Sequence, residues 1–135
     1  MGSRLFSPIS LADVELRNRI IVSPMCQYSA DAGCATDWHL MHLGQFAVSG
    51  VGLILTEAVG VEMAGRITPG CLSLCSDAQE SSLKRVFDFC QKFGHAKMGI
   101  QLAHAGRKGS TDLPWNGGKP ILPNEPRGWQ TDSPS

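Results

Sequence analysis

Residues 53–102 read LILTEAVGVEMAGRITPGCLSLCSDAQESSLKRVFDFCQKFGHAKMGIQL, and this stretch decides the fold class. Leu53-Ile54-Leu55-Thr56 is an apolar run of strand length that ends in Glu57-Ala58, and a loop carrying Gly65 and Pro69-Gly70 follows it. Leu83, Val86, Phe87, Cys90 and Phe93 then recur at helical spacing, with Glu80, Lys84, Arg85 and Asp88 on the other positions, so the spacing predicts a helix over 77–93. Ser76 can cap its start and Gly94 can end it. Lys97-Met98-Gly99-Ile100-Gln101-Leu102 is again a short strand. The unit is strand, helix, strand.

Working outward, Arg19-Ile20-Ile21-Val22-Ser23-Pro24 is a β-branched run stopped by proline and reads as an earlier strand, buried on both faces. A loop over 26–36 carries Ser29, Asp31, Gly33 and Thr36, after which Asp37 is placed to N-cap a helix over 38–49. Gly50 and Gly52 separate that helix from the run at Leu53. The order is therefore strand, helix, strand, helix, strand, which is α/β with a parallel sheet and right-handed crossovers. Periodicity leaves a doubly wound sheet and a (β/α)8 barrel both open. Before these units, Leu5, Phe6, Ile9, Leu11, Val14 and Leu16 alternate with polar residues around Pro8, predicting a β-hairpin that caps something apolar. After them, residues 103–135 show no helical or alternating pattern and carry Pro114, Gly117, Gly118, Pro120, Pro123, Pro126, Gly128 and Pro134. This segment reads as a long active-site loop whose following helix and strand lie outside the chain. Three strands cover only part of a sheet or barrel and leave unpaired edges, so the chain is expected to be incomplete.

Composition narrows the partners. The 135 residues are 42% hydrophobic and 18% charged, as in a soluble globular domain, and twelve basic residues balance twelve acidic ones without a run of either sign. No electrostatic footprint points to a nucleic acid or an anionic membrane, and no apolar run reaches the ~20 residues that span a bilayer. Small molecules and other protein surfaces remain. Five cysteines, an odd number, and an N-terminus without a signal-peptide core point to a reducing cytoplasm.

Each strand ends in groups able to do chemistry: Ser23-Pro24-Met25-Cys26, then Thr56-Glu57-Ala58, then Gln101. The carboxyl ends of parallel strands form the ligand face of such folds. No G-x-G-x-x-G follows a strand and no P-loop occurs, which removes the main support for a nucleotide-binding Rossmann or P-loop reading. His39 and His42 share a helix face at a spacing able to ligate metal, but no CxxC occurs and Cys71 and Cys75 are one residue too far apart for a zinc knuckle. Structural roles fit these four residues better. Cys26 lacks a sequence-visible base or positive field to make it a nucleophile, so a buried inert thiol is the simpler reading. Tyr28, the only tyrosine, has a packing role or a phenol's chemistry open to it. His104, Arg107 and Lys108 lie just past a strand end, facing phosphate or carbonyl oxygens or else solvent.

The run Leu16-Arg17-Asn18-Arg19-Ile20, followed by Ser23-Pro24-Met25-Cys26-Gln27-Tyr28, resembles the start of the old yellow enzyme barrel in the class that carries cysteine near the flavin. Asp37-Trp38-His39, Thr56-Glu57-Ala58, the run from Gly65 to Gly70, the run from Gln101 to Lys108, and Arg127-Gly128-Trp129 continue the likeness in order. The resemblance implies a TIM (β/α)8 barrel, with this chain supplying the N-terminal hairpin and about the first three βα units. Residues 1–135 are then the N-terminal part of a single FMN-binding domain. It also implies an FMN-dependent NADPH or NADH oxidoreductase that reduces the activated C=C bond of enones. Ser23, Pro24, Met25, Cys26, Ala58 and Gln101 would line the FMN, Tyr28 the substrate, and Arg107 and Lys108 are possible oxygen or phosphate neighbours. Cys26 would tune the flavin through a weak S–H donor and would not attack anything. The family's later H-x-x-H-x-Y segment, which polarises the substrate carbonyl, is not matched here. His39 and His42 copy its spacing, but Gly44 stands at the tyrosine position. The barrel's phosphate site, usually built after strands seven and eight, is not matched either. A complementary polypeptide is therefore expected to supply the remaining barrel, and the complete protein to form a homo-oligomer. The competing readings are an inactive half-barrel acting as an assembly or interaction module, and a metal-binding domain.

Overall fold

The structure, a computed structural model, describes residues 3–134. β1 (Ile9–Leu11) and β2 (Val14–Leu16) pair antiparallel with Ile9 opposite Leu16, as the alternating pattern predicts. Leu16 is fully buried, whereas Leu5, Phe6, Leu11 and Val14 stay exposed, so one residue anchors the hairpin.

β3 (Ile21–Val22), α1 (Asp37–Val48), β4 (Leu53–Gly60), α2 (Asp77–Phe93) and β5 (Lys97–Ala103) follow. The three later strands form one parallel sheet in the order β3-β4-β5. Both helices cover the same face of it. Leu43 and Ala47 of α1 and Val86 and Cys90 of α2 close over Ile54, with Val22 and Met98 packed at the margin. Val59, Leu72 and Leu83 make a second cluster, joined by Phe87 and Ile100. A barrel wall and one half of a doubly wound sheet both have this geometry.

The opposite face of the sheet is open. Ile21 is 45% exposed, Leu53 and Leu55 are half-buried and Gln101 is exposed. The expectation that the first strand is buried on both faces is therefore corrected: β3 is two residues long and only Val22 reaches the helix side. A second correction concerns α1, whose N-cap is Thr36 and not Asp37. Asp37 opens the helix and pairs with Arg85 of α2 at 2.7 Å. Among the described residues the final segment, expected to be without helix, holds no α-helix but has two single 3-10 turns, Gly106–Lys108 and Pro114–Asn116, and it is pinned to the β4–α2 loop. Thr111 N donates to Ile67 O at 3.0 Å, Trp129 Nε1 donates to Ala64 O at 2.9 Å, and the Arg66 guanidinium lies 5.1 Å from the Trp129 ring centre.

Candidate functional site

The site grows from an irregularity in β4. Leu55 lies opposite Gly99 and Ala58 opposite Gln101, so three steps on β4 match two on β5 and one extra residue is accommodated at Thr56 and Glu57. Such a bulge re-aims side chains. Strict alternation from Leu53 and Leu55 would put Glu57 on the open face and Ala58 under the helices. The bulge exchanges them: Glu57 is buried towards α1, and Ala58 is half-buried on the open face beside Gln101. Thr56 holds the irregular turn, donating to Glu57 O at 3.0 Å and accepting from Gln101 N at 3.4 Å.

The segment after β3 folds across these strand ends. Cys26 is half-buried, and burial pushes its thiol up. Cys71 and Glu57 act in the same direction, while the Ala58 backbone amide and Lys108 act against it. The proton thus stays on sulfur near neutral pH, which matches a thiol that donates weakly and does not attack. Ser23 and Met25 are exposed, and both also border a small void of about 10 Å³ that reaches Glu57, His39 and His42. Tyr28 takes the left-handed backbone conformation at φ 53° and stands edge-on to Trp115, ring centres 6.1 Å apart. Burial raises its phenol pKa, with Cys26 the next contribution in the same direction. A cleft of about 200 Å³ opens at the carboxyl ends of β4 and β5, bordered by Ala58, Arg66, His104 and Lys108.

The structure therefore gathers Cys26, Ala58, Gln101 and Lys108 at one end of the sheet and places Tyr28 on the neighbouring loop. Arg107 points elsewhere, its Nε donating to Ser133 Oγ at 2.9 Å. His104 accepts from Gly106 N and meets Glu62 at 2.7 Å. The four residues weighed as metal ligands are dispersed. His39 uses both ring nitrogens, accepting from Thr36 N at 3.0 Å on Nδ1 and donating from Nε2 to Glu57 Oε1 at 3.0 Å. His42 packs edge-on to Phe46, and burial lowers its pKa. Cys71 is bonded to Thr68, and Cys75 lies exposed against Gln79. No cluster of three metal-ligating side chains occurs among the described residues. Sequence reasoning missed Glu57 as a network centre, because the period-two pattern aims it at the wrong face; the Thr-Glu-Ala string was its only signal.

Comparison with known proteins settles the architecture left open by the sheet. The model of the NADH:flavin oxidoreductase / NADH oxidase family matches residues 4–124. The chain belongs to that family. An NADH:flavin oxidoreductase of Gibberella zeae is 44% identical over 128 residues, covering 95% of this chain and 31% of its own length. An NADPH dehydrogenase of Listeria monocytogenes is 50% identical over 108 residues, covering 78% of this chain and 32% of its own length. The old yellow enzyme from Pichia sp. superposes with a TM-score of 0.74 at 27% identity, over 79% of this chain and 28% of that one. Morphinone reductase gives 0.72 at 28% identity over 78% of this chain and 27% of its own, and a second structure of it holds tetrahydroNAD. The chain thus spans about a third of the curated relatives it matches. The resemblance to old yellow enzymes stands, and the three strands are part of a (β/α)8 barrel wall. In this flavin-oxidoreductase family chain the open sheet face is accordingly the barrel interior. Among the described residues no helix is long and apolar enough to cross a membrane.

Proposed function

We propose that this chain is the flavin-side N-terminal part of an FMN-dependent NADPH or NADH oxidoreductase that reduces the activated C=C bond of enones. Residues 1–135 form the start of a single FMN-binding barrel domain, whose remaining strands come from further chain or from a complementary polypeptide. The observation that carries the reading is the bulged register, which brings Ala58 beside Gln101 on the barrel-interior face. These residues fit a flat heterocycle with a polar edge: Ala58 is small enough to leave room, and the exposed Gln101 carries an amide with both donors and an acceptor. FMN, when bound, supplies the hydride relay between a nicotinamide and an electron-poor double bond.

Around it the chain's own groups do simpler work. Ser23, Pro24, Met25 and Cys26 line the cofactor, and the protonated Cys26 offers a weak S–H donor that tunes its potential. Tyr28 bounds the substrate side and Lys108 offers a positive charge to an oxygen. The five free thiols suit a reducing cytoplasm, and the complete barrel is expected to self-associate.

The test is the visible spectrum of the protein assembled with its remaining strands, titrated with FMN, then NADPH or NADH without oxygen, then cyclohexenone. We expect bound flavin that the nicotinamide bleaches and cyclohexenone recolours. Recolouring by oxygen alone would remove the enone assignment, and absence of flavin binding would remove the reading altogether.

A further inference from the structure

We infer that Glu57, backed by His39, is a positioning residue that fixes residues 25–29 against the strand ends; its value for the cofactor rests on the flavin-side reading above. Glu57 and His39 are 4% and 1% exposed, and neither is assigned any part in the chemistry. Both carboxylate oxygens are used. Oε1 meets His39 Nε2 at 3.0 Å, and Oε2 accepts from the backbone amide of Gln27 at 3.3 Å. His39 Nδ1 accepts from Thr36 N, so the ring proton is on Nε2 and is donated to Glu57. One buried side chain therefore joins β4, the N-terminus of α1 and the segment carrying Met25, Cys26 and Tyr28.

Gln27 is the point at which the segment is gripped. Its amide nitrogen holds Glu57, its side chain donates to Met25 O at 2.8 Å, and its side-chain oxygen accepts from Trp38 Nε1 at 3.0 Å. Ser29 Oγ donates to Gln27 O at 2.9 Å, and Thr36 Oγ1 donates to Ser29 O at 3.0 Å. Between these ties sits Tyr28 at φ 53°, a conformation that a bulky side chain holds only when its surroundings determine it. The bulge completes the device: by turning Glu57 inward it simultaneously presents Ala58 to the open face. Replacing the carboxylate with an amide of the same shape sets an NH2 against either the Gln27 amide or the His39 Nε2 proton. The grip on one side is then lost.

The experiment is hydrogen exchange and FMN titration on the complete protein, comparing wild type with Glu57→Gln and Trp38→Phe. Trp38 is exposed, so its variant keeps the fold and loses only the Gln27 side-chain tie. In Glu57→Gln we expect exchange over 25–29 to accelerate by about tenfold or more, as loss of a bond to a charged group implies, with α2 unchanged and FMN bound about tenfold more weakly. Trp38→Phe is expected to give a smaller acceleration over the same residues. Unchanged exchange at 25–29 in both variants would overturn the inference. So would acceleration throughout α2, which would make Glu57 a general stabiliser, or local loosening with unaltered FMN affinity. Wild-type protein that binds no FMN would sink the proposed function and leave the exchange result to decide the grip.

Discussion

Tyr28 shows how one residue's backbone is set by a neighbour with no side chain. Its carbonyl oxygen and the α-carbon of Gly70 approach so closely that a Cβ on Gly70 would come 2.5 Å from Tyr28 O and 2.9 Å from Leu113 Cδ2. Gly70→Ala must push Tyr28 and the Leu113 loop apart, and overpacking of this kind costs about 1–3 kcal/mol. Urea unfolding of the variant is expected to show that loss, along with altered fluorescence of Trp115, which stands against Tyr28. Cys26 gives a second residue-scale expectation. Because burial raises its pKa, folding favours the protonated thiol. That contribution is complete below the ordinary thiol pKa and is lost as pH rises through the raised value. Stability should fall on the alkaline side, less so in Cys26→Ala, as urea midpoints at neutral and alkaline pH will show. Alkylation followed by mass spectrometry should modify the exposed Cys75 before Cys26. That Cys26, Ala58 and Gln101 lie towards the carboxyl ends of the strands was legible through local strings. Glu57 was not, since its direction depends on a register shift that only the neighbouring strand reveals.

Whole elements were easier to read where periodicity and caps agree. α2 spans Asp77–Phe93 with Ser76 accepting from Gln79 N at 3.4 Å, matching the boundaries that the spacing of Leu83, Val86, Phe87, Cys90 and Phe93 predicts. Ser76→Ala should cost about 0.5–1 kcal/mol, visible as a shift in the urea midpoint, because it removes one satisfied helix-end donor. α1 was placed one residue late, since Thr36 and Asp37 are both good caps by type. The choice was made by His39, whose ring folds back onto the Thr36 amide, a tertiary commitment to Glu57 that no single-helix rule contains. The first strand was overestimated for a related reason. A β-branched run between Arg19 and Pro24 promises a core strand, but ladder partners exist only at Ile21 and Val22. Gly94 ends α2 as expected, though its backbone is extended; a Cβ there would collide with Ala47 O, so the glycine serves the close approach of α1.

At the scale of the molecule, the exposed apolar residues mark where the rest of a barrel belongs. Ile21 and Leu102 are 45% and 62% exposed on the sheet, and Met41, Val48 and Phe93 are exposed on the helices. In a (β/α)8 barrel the sheet's inner face, which carries Ile21, closes on the remaining strands, and the helices and the helix side of the sheet, where Leu102 lies beside Val59, pack against further helices; the chain covers about a third of its relatives. Sequence periodicity could not choose between a barrel and a doubly wound sheet, because three strands in order are common to both; the ordered motifs of the family made that choice. The physical consequence, among the described residues, is an unpaired β3 edge, an unpaired β5 edge and an uncovered apolar face in one small unit. Residues 1–135 produced alone should therefore self-associate as concentration rises and bind an apolar dye, measured by sedimentation velocity and dye fluorescence. Addition of a polypeptide carrying the third helix and the remaining five βα units should abolish dye binding and replace the open-ended association with the discrete oligomer expected of the complete barrel, as the edges pair. A 1–135 polypeptide that stays monomeric, binds no dye and unfolds cooperatively would show that this part of the barrel needs no cover, and that its open face is a surface in its own right.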